Sequence, residues 1–141
     1  MSNIYIAGIA MTVFGRHLER GLDDLAGEAL QGALKDANCQ LEDLGIAYYS
    51  GMTNGPLQGQ ISIPGQVVLA KLGVHSIPIF NVENACASGS SAVNLAVQSL
   101  KAGTTDVALA LGAEKMNIPD KMKAFSIFEG GWNVSRAEEN Y

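Results

Sequence analysis

Short apolar runs alternate with helix-length segments along most of this chain, and that alternation restricts its fold more than any other feature. Ile4 to Ala10 is an apolar run containing Gly8 and is expected to be a buried strand. Leu22, Leu25, Ala26, Ala29, Leu30, Ala33, Leu34 and Ala37 follow at helical spacing and form one apolar face. Asp23 and Asp24 stand where a helix start favours negative charge and capping oxygens. Ile46 to Ser50 is the second expected strand, ended by Gly51. Pro64 opens a second helix and Gly73 closes it. Pro78 to Val82 is a third strand, Cys86 to Ala102 a third helix stopped by Gly103, and Asp106 to Ala113 a fourth strand. The order is β-α-β-α-β-α-β. Continuous apolar strands joined by helices imply a parallel sheet covered on both faces.

The third helix carries an added constraint. Ala87, Gly89, Ala92, Val93, Leu95, Ala96, Val97 and Leu100 make it small and apolar nearly all round. A helix of that kind is expected to be buried between two layers. One sheet of this size cannot cover its far side, so a second layer is expected from another chain or from a second half. After Ala113 the periodicity dissolves, and residues 114–141 read as loop.

Composition narrows the function classes. Apolar residues make up 48% of the 141 and charged residues 16%, enough for one domain with a real core. No apolar run is long enough to span a membrane, and the N-terminus lacks the shape of a signal peptide. A net charge of −5 without a basic stripe argues against nucleic acid as a partner. Cys39 and Cys86 fit neither a metal-ligand spacing nor a disulfide framework, so reduced thiols and a cytoplasmic setting are expected.

Chemistry is concentrated in Asn81-Val82-Glu83-Asn84-Ala85-Cys86-Ala87-Ser88-Gly89-Ser90. An apolar run feeds a short turn, and one cysteine then heads an Ala/Ser/Gly-rich helix. A helix N-terminus carries unsatisfied N–H groups and partial positive charge, which favour a thiolate and can hold an oxyanion. The small neighbours would let a bulky thioester approach the backbone. Two readings stand on this local pattern: Cys86 is a cysteine nucleophile, or it is a small core residue. His17 and His75 read as exposed or capping histidines and Cys39 as a packing residue. Asn81, Glu83 and Asn84 are expected to tie down the turn, and Glu114 is expected to be a turn residue that helps to cap or pair.

Three segments taken together resemble the N-terminal part of the thiolases, most closely the sterol-carrier-protein type and the acetyl-CoA acetyltransferases. Ile6-Ala7-Gly8-Ile9-Ala10-Met11-Thr12-Val13-Phe14-Gly15-Arg16 is similar to that branch's opening strand and turn. Asn84-Ala85-Cys86-Ala87-Ser88-Gly89-Ser90 is similar to its nucleophile segment, and Gly112-Ala113-Glu114-Lys115-Met116 to the turn after its fourth strand. Their order and spacing select the nucleophile reading of Cys86. The resemblance implies an α/β, thiolase-like layered fold: the first βαβαβαβ half over residues 1–113, the beginning of a loop domain over 114–141, and no second half.

It also implies an acyltransferase of lipid metabolism. Cys86 would take an acyl group from acyl-coenzyme A for thiolysis or Claisen condensation, and its backbone N–H would be one oxyanion donor. Coenzyme A thioesters would be substrates, with no permanently bound cofactor and no metal. The expected partners are a second copy of the chain, paired through the third strand, or a C-terminal half. In the resembling family a histidine, an Asn-His or similar pair and a second cysteine complete the site from the second half, and none of these segments occurs here. The isolated chain is therefore expected to turn over negligibly. A decarboxylating β-ketoacyl synthase-like domain and a truncated, non-catalytic thiolase-like subunit are the alternatives.

Overall fold

The computed structural model describes residues 3–140; Met1, Ser2 and Tyr141, the outer ends of the two expected domains, lie outside the described residues. Helix α1 spans Leu22–Ala37, strand β1 Ile46–Ser50, α2 Asn54–Gln58 and α3 Pro64–Lys71. Strand β2 spans Ile79–Val82, α4 Ser88–Lys101, β3 Ala108–Gly112 and α5 Lys121–Ser126. Pro64 is the first residue of α3, where its missing N–H costs nothing. The Asp24 carboxylate accepts the Gly21 N–H at 2.8 Å and so closes the start of α1.

The three strands form one parallel sheet in the order β2-β1-β3. Tyr48 of β1 lies between Phe80 of β2 and Ala110 of β3. All five residues of β1 are buried, as its central place requires. On one face Ala47, Tyr49, Leu109 and Leu111 pack with Ala26 and Leu30 of α1 and with Val68 and Leu69 of α3. On the other, Ile46 and Tyr48 pack against Ala92 and Ala96 of α4. The Tyr48 hydroxyl meets Ser99 Oγ at 2.6 Å and ties α4 to the sheet.

Several expectations are corrected. Ile4 to Ala10 is not a strand and pairs with neither edge of the sheet. Its backbone lies along α1 instead, with the Ile9 N–H donating to the Asp36 carboxylate at 2.9 Å. Gly8 makes this approach possible, because a Cβ there would stand 2.3 Å from the Ala33 carbonyl oxygen. Its Ile6 and Ile9 side chains are left outside, 80% and 72% exposed. The described sheet accordingly has three strands rather than four.

Helix α4 has one side covered among the described residues. It covers the sheet with Ser88, Ala92 and Ala96, while Gly89 and Val93 face outward and Val93 is 49% exposed. Its apolar circumference is real, and among the described residues one side has a covering layer, which leaves the other for the layer expected from elsewhere. The helix begins at Ser88, two residues later than expected. The stretch after β3, read as loop, contains α5, whose N-cap Asp120 accepts the Lys123 N–H at 3.0 Å.

Candidate active site

The connection between β2 and α4 is a short, heavily braced turn. Ala85 to Ala87 form one 3₁₀ turn, and Cys86 is its middle residue. Glu83 accepts the Ala85 N–H at 2.7 Å. The Ser88 hydroxyl accepts the Asn84 N–H at 2.8 Å and donates to the Ala85 carbonyl at 2.7 Å. The Asn84 side-chain amide donates to Ser91 Oγ at 3.0 Å. These bonds hold Ala85 at φ 46°, a left-handed conformation that costs an alanine about 1–2 kcal/mol. The turn thereby throws Cys86 outward at the head of α4, and Cys86 is exposed.

Glu83 and Asn84 brace this turn as expected. Asn81 does not. Its carbonyl oxygen accepts the Gly65 N–H at 2.7 Å and its amide donates to Gln66 at 2.7 Å, so it ties β2 to α3.

Cys86 lines a cavity of about 550 Å³. Its walls come from four directions. Met11 and Phe14 belong to the N-terminal segment, and Gly51 to Thr53 to the turn after β1. Ala110 to Glu114 belong to β3 and its end, and Met116, Ile127 and Phe128 to the segment beyond. The lining is mainly apolar, as a site for an acyl group requires. A concavity of about 560 Å³ on the outer side of α1 is different in kind: it is open, and its Arg20 and Asp23 are already engaged by Glu28 and Lys71. The Lys71 ammonium holds the Asp23 carboxyl below the usual carboxylate range.

Glu114 is a pairing residue, as the sequence suggests, but the sequence does not show its partners: its carboxylate reaches across to the turn after β1. There it accepts the Met52 N–H at 2.6 Å, the Thr53 N–H at 3.2 Å and the Thr53 hydroxyl. Partial desolvation pushes its pKa up, against the pull of these two N–H groups, and the Glu83 carboxylate adds to the rise. Beneath it, Tyr49 is 1% exposed, and burial together with the nearby Glu114 charge pushes its phenol up to about 12. The interacting positions lie 61 and 62 residues apart, so no local spacing could have paired them.

Neither histidine reaches the cavity. His17 Nε2 meets the Val13 carbonyl at 2.7 Å, and His75 is exposed beyond α3. Cys39 is half-buried, with its thiol 3.6 Å from the Ala37 carbonyl oxygen. Among the described residues no cluster of three or more His, Cys, Asp or Glu side chains could hold a metal ion. No described helix is long and apolar enough to cross a membrane.

Comparison with known proteins gives a consistent result. Residues 4–137 match the family model described as thiolase, N-terminal domain. The chain is 41% identical over 113 residues to the benzoylsuccinyl-CoA thiolase subunit BbsB of Thauera aromatica, covering 79% of the chain and 28% of the relative. It is 35% identical over 127 residues to an acetyl-CoA acetyltransferase of Methanocaldococcus jannaschii, covering 89% and 32%. Sterol carrier protein 2 of Homo sapiens is 34% identical over 120 residues, covering 83% and 21%. The chain thus spans about a third or less of each of these relatives. Among solved structures, a 3-oxoacyl-(acyl carrier protein) synthase III from Xanthomonas oryzae superimposes with a TM-score of 0.64 at 24% identity, over 80% of this chain and 34% of that one. An OleA variant from Xanthomonas campestris does so with 0.61 at 25% identity, over 74% and 30%.

Proposed function

This chain belongs to the thiolase family through its N-terminal domain, and from that premise we propose that Cys86 is the nucleophile of a thiolase-type acyltransferase. The observation that carries the reading is the placement of Cys86: exposed on a braced turn, at the head of α4, in the wall of a largely apolar cavity. In the proposed step Cys86 gives up its proton and its Sγ bonds to the carbonyl carbon of an acyl thioester. The bond from that carbon to the coenzyme A sulfur breaks, and coenzyme A leaves as the free thiol with that proton. The carbonyl oxygen carries negative charge meanwhile, and the Cys86 backbone N–H at the positive end of α4 is proposed as one donor to it.

The base that takes the proton is proposed to come from a second half, since neither His17 nor His75 lines the cavity. The outward face of α4 around Gly89 and Val93 is where we place that half. The outer edge of β2, which no described strand pairs, is proposed to pair with a second copy of the chain, in a reducing compartment such as the cytoplasm. Residues 1–113 then form the α/β domain and residues 114–141 the start of a loop domain that closes the cavity.

A β-ketoacyl synthase reading draws only on the shared fold, while the relatives above 30% identity include the thiolase and acetyltransferase named above. The test is release of coenzyme A from acetyl-coenzyme A, followed by chromatographic separation of the two nucleotides, for the chain and for Cys86→Ala. One equivalent of coenzyme A released by the chain and none by the variant supports the proposal. Equal release by both overturns it.

A further inference from the structure

Glu114 puts a charged group into the wall of a mainly apolar cavity, and nothing in the proposed acyl transfer uses it. As a residue Glu114 is exposed, but its carboxylate is folded inward onto the turn after β1. That turn has few other fastenings to β3. The Ala113 N–H donates to the Ser50 carbonyl at 3.3 Å, and the Asn54 amide reaches the Ala113 carbonyl only at 3.5 Å. The closest bonds between the two strand ends run to the Glu114 carboxylate, from the Met52 N–H at 2.6 Å and from the Thr53 hydroxyl. Charge-assisted bonds of this kind are roughly twice as strong as neutral ones. Gly51, Met52 and Thr53 line the same cavity as Cys86, so whatever holds this turn also sets the cavity's width.

We propose that Glu114 is a positioning residue: by clamping the 51–53 turn to the end of β3 it shapes the floor of the Cys86 cavity and determines how long an apolar group Cys86 can accept. The proposal rests on the assignment of Cys86 above, but it concerns the cavity rather than the chemistry. Opening the clamp lets the turn move, and the apolar walls around Met116 and Phe128 lose their fixed separation from it. The raised pKa of Glu114 agrees with a carboxylate drawn partly out of water, with Glu83 and Tyr49 as the titratable groups beside it.

The test uses alkylation of Cys86, which proceeds whether or not the thiol can take an acyl group, so failure of the two proposals is distinguishable. Rates are measured with iodoacetamide and with its N-octyl derivative, and the ratio of octyl to plain rate reports the cavity. Glu114→Gln keeps the side-chain length but turns an amide N–H₂ toward the donors of the turn. It is expected to lower the ratio about tenfold, corresponding to about 1.4 kcal/mol, while the iodoacetamide rate stays within about twofold. Thr53→Val is expected to lower the ratio through the same contact, so the two effects will not add. Leu44→Ala, a core truncation away from the cavity, is expected to leave the ratio unchanged. An unchanged ratio in Glu114→Gln, or an equal fall in Leu44→Ala, overturns the proposal. Should Glu114→Gln fail to fold, hydrogen exchange in the unsubstituted chain decides. Protected Met52 and Thr53 amides at neutral pH support the clamp, and unprotected ones overturn it.

Discussion

Asn84 and Ser88 bracket Cys86: the Ser88 hydroxyl, two residues after the thiol, accepts the backbone N–H of Asn84, two residues before it, at 2.8 Å. The same hydroxyl donates to the carbonyl of Ala85, the residue held at φ 46°. One buried side chain therefore fixes both ends of the turn that presents the thiol. Ser88→Ala should cost about 1–3 kcal/mol, because both partners lose their bond. Chemical denaturation measures that cost. Cys86 alkylation should also become faster or slower by more than the small global loss explains, since the turn can relax. An unchanged alkylation rate would show that Ser88 serves only the helix.

Cys86 is exposed and Cys39 half-buried, so limited alkylation at neutral pH should label Cys86 first. Peptide mapping after partial reaction with iodoacetamide checks this. Preferential labelling of Cys39 would count against the role assigned to Cys86.

Tyr49 should give the fold an alkaline limb. Its phenol is pushed up to about 12 in the folded state, while the unfolded side chain ionises near its ordinary value of 10.0. The unfolded state thus loses its proton first, and stability falls as pH rises from about 10 toward about 12, by about 1–3 kcal/mol in all. Tyr49→Phe should flatten that limb. At neutral pH it should cost little, because the hydroxyl reaches Asn54 only at 3.4 Å. Urea midpoints across the pH range measure both effects, and an equally steep limb in Tyr49→Phe would contradict the assignment.

The outer edge of β2 should mediate self-association. Phe80 is 51% exposed there and stacks on Tyr48 with ring centroids 5.5 Å apart. Sedimentation should find a dimer for the chain and a monomer for Phe80→Lys, since a lysine on an edge strand opposes pairing. The substitution also removes the stacking, at about 0.5–1.5 kcal/mol. A dimer that survives Phe80→Lys places the interface elsewhere.

How far the sequence reveals this arrangement depends on how local each signal is. Helix α1 is legible residue for residue because its apolar face repeats over four turns and ends at Asn38, whose left-handed conformation stops it. Strands β1, β2 and β3 are legible because each is a short, mostly apolar run. Helix α2 is hidden because Asn54-Gly55-Pro56 reads as a turn. Ile4 to Ala10 has a strand's composition, but composition cannot show whether a partner edge exists, and here Gly8 seats the run on α1. The apolar circumference of α4 signals a second covering layer, and the size of the sheet signals that the layer comes from elsewhere. The turn that presents Cys86 is legible because its bracing is local, from Glu83 to Ser91, whereas the cavity around the thiol is not. The partners of Glu114 are not legible either, because they stand on another strand end.

The central claim is that Cys86 takes an acyl group from a thioester. The most direct measurement is tandem mass spectrometry of the chain after incubation with acetyl-coenzyme A, with Cys86→Ala alongside. The account predicts a single acetyl adduct on Cys86, formed once and without sustained turnover, and none in the variant. No adduct on Cys86, or acetylation confined to Cys39 or to lysines, would contradict it.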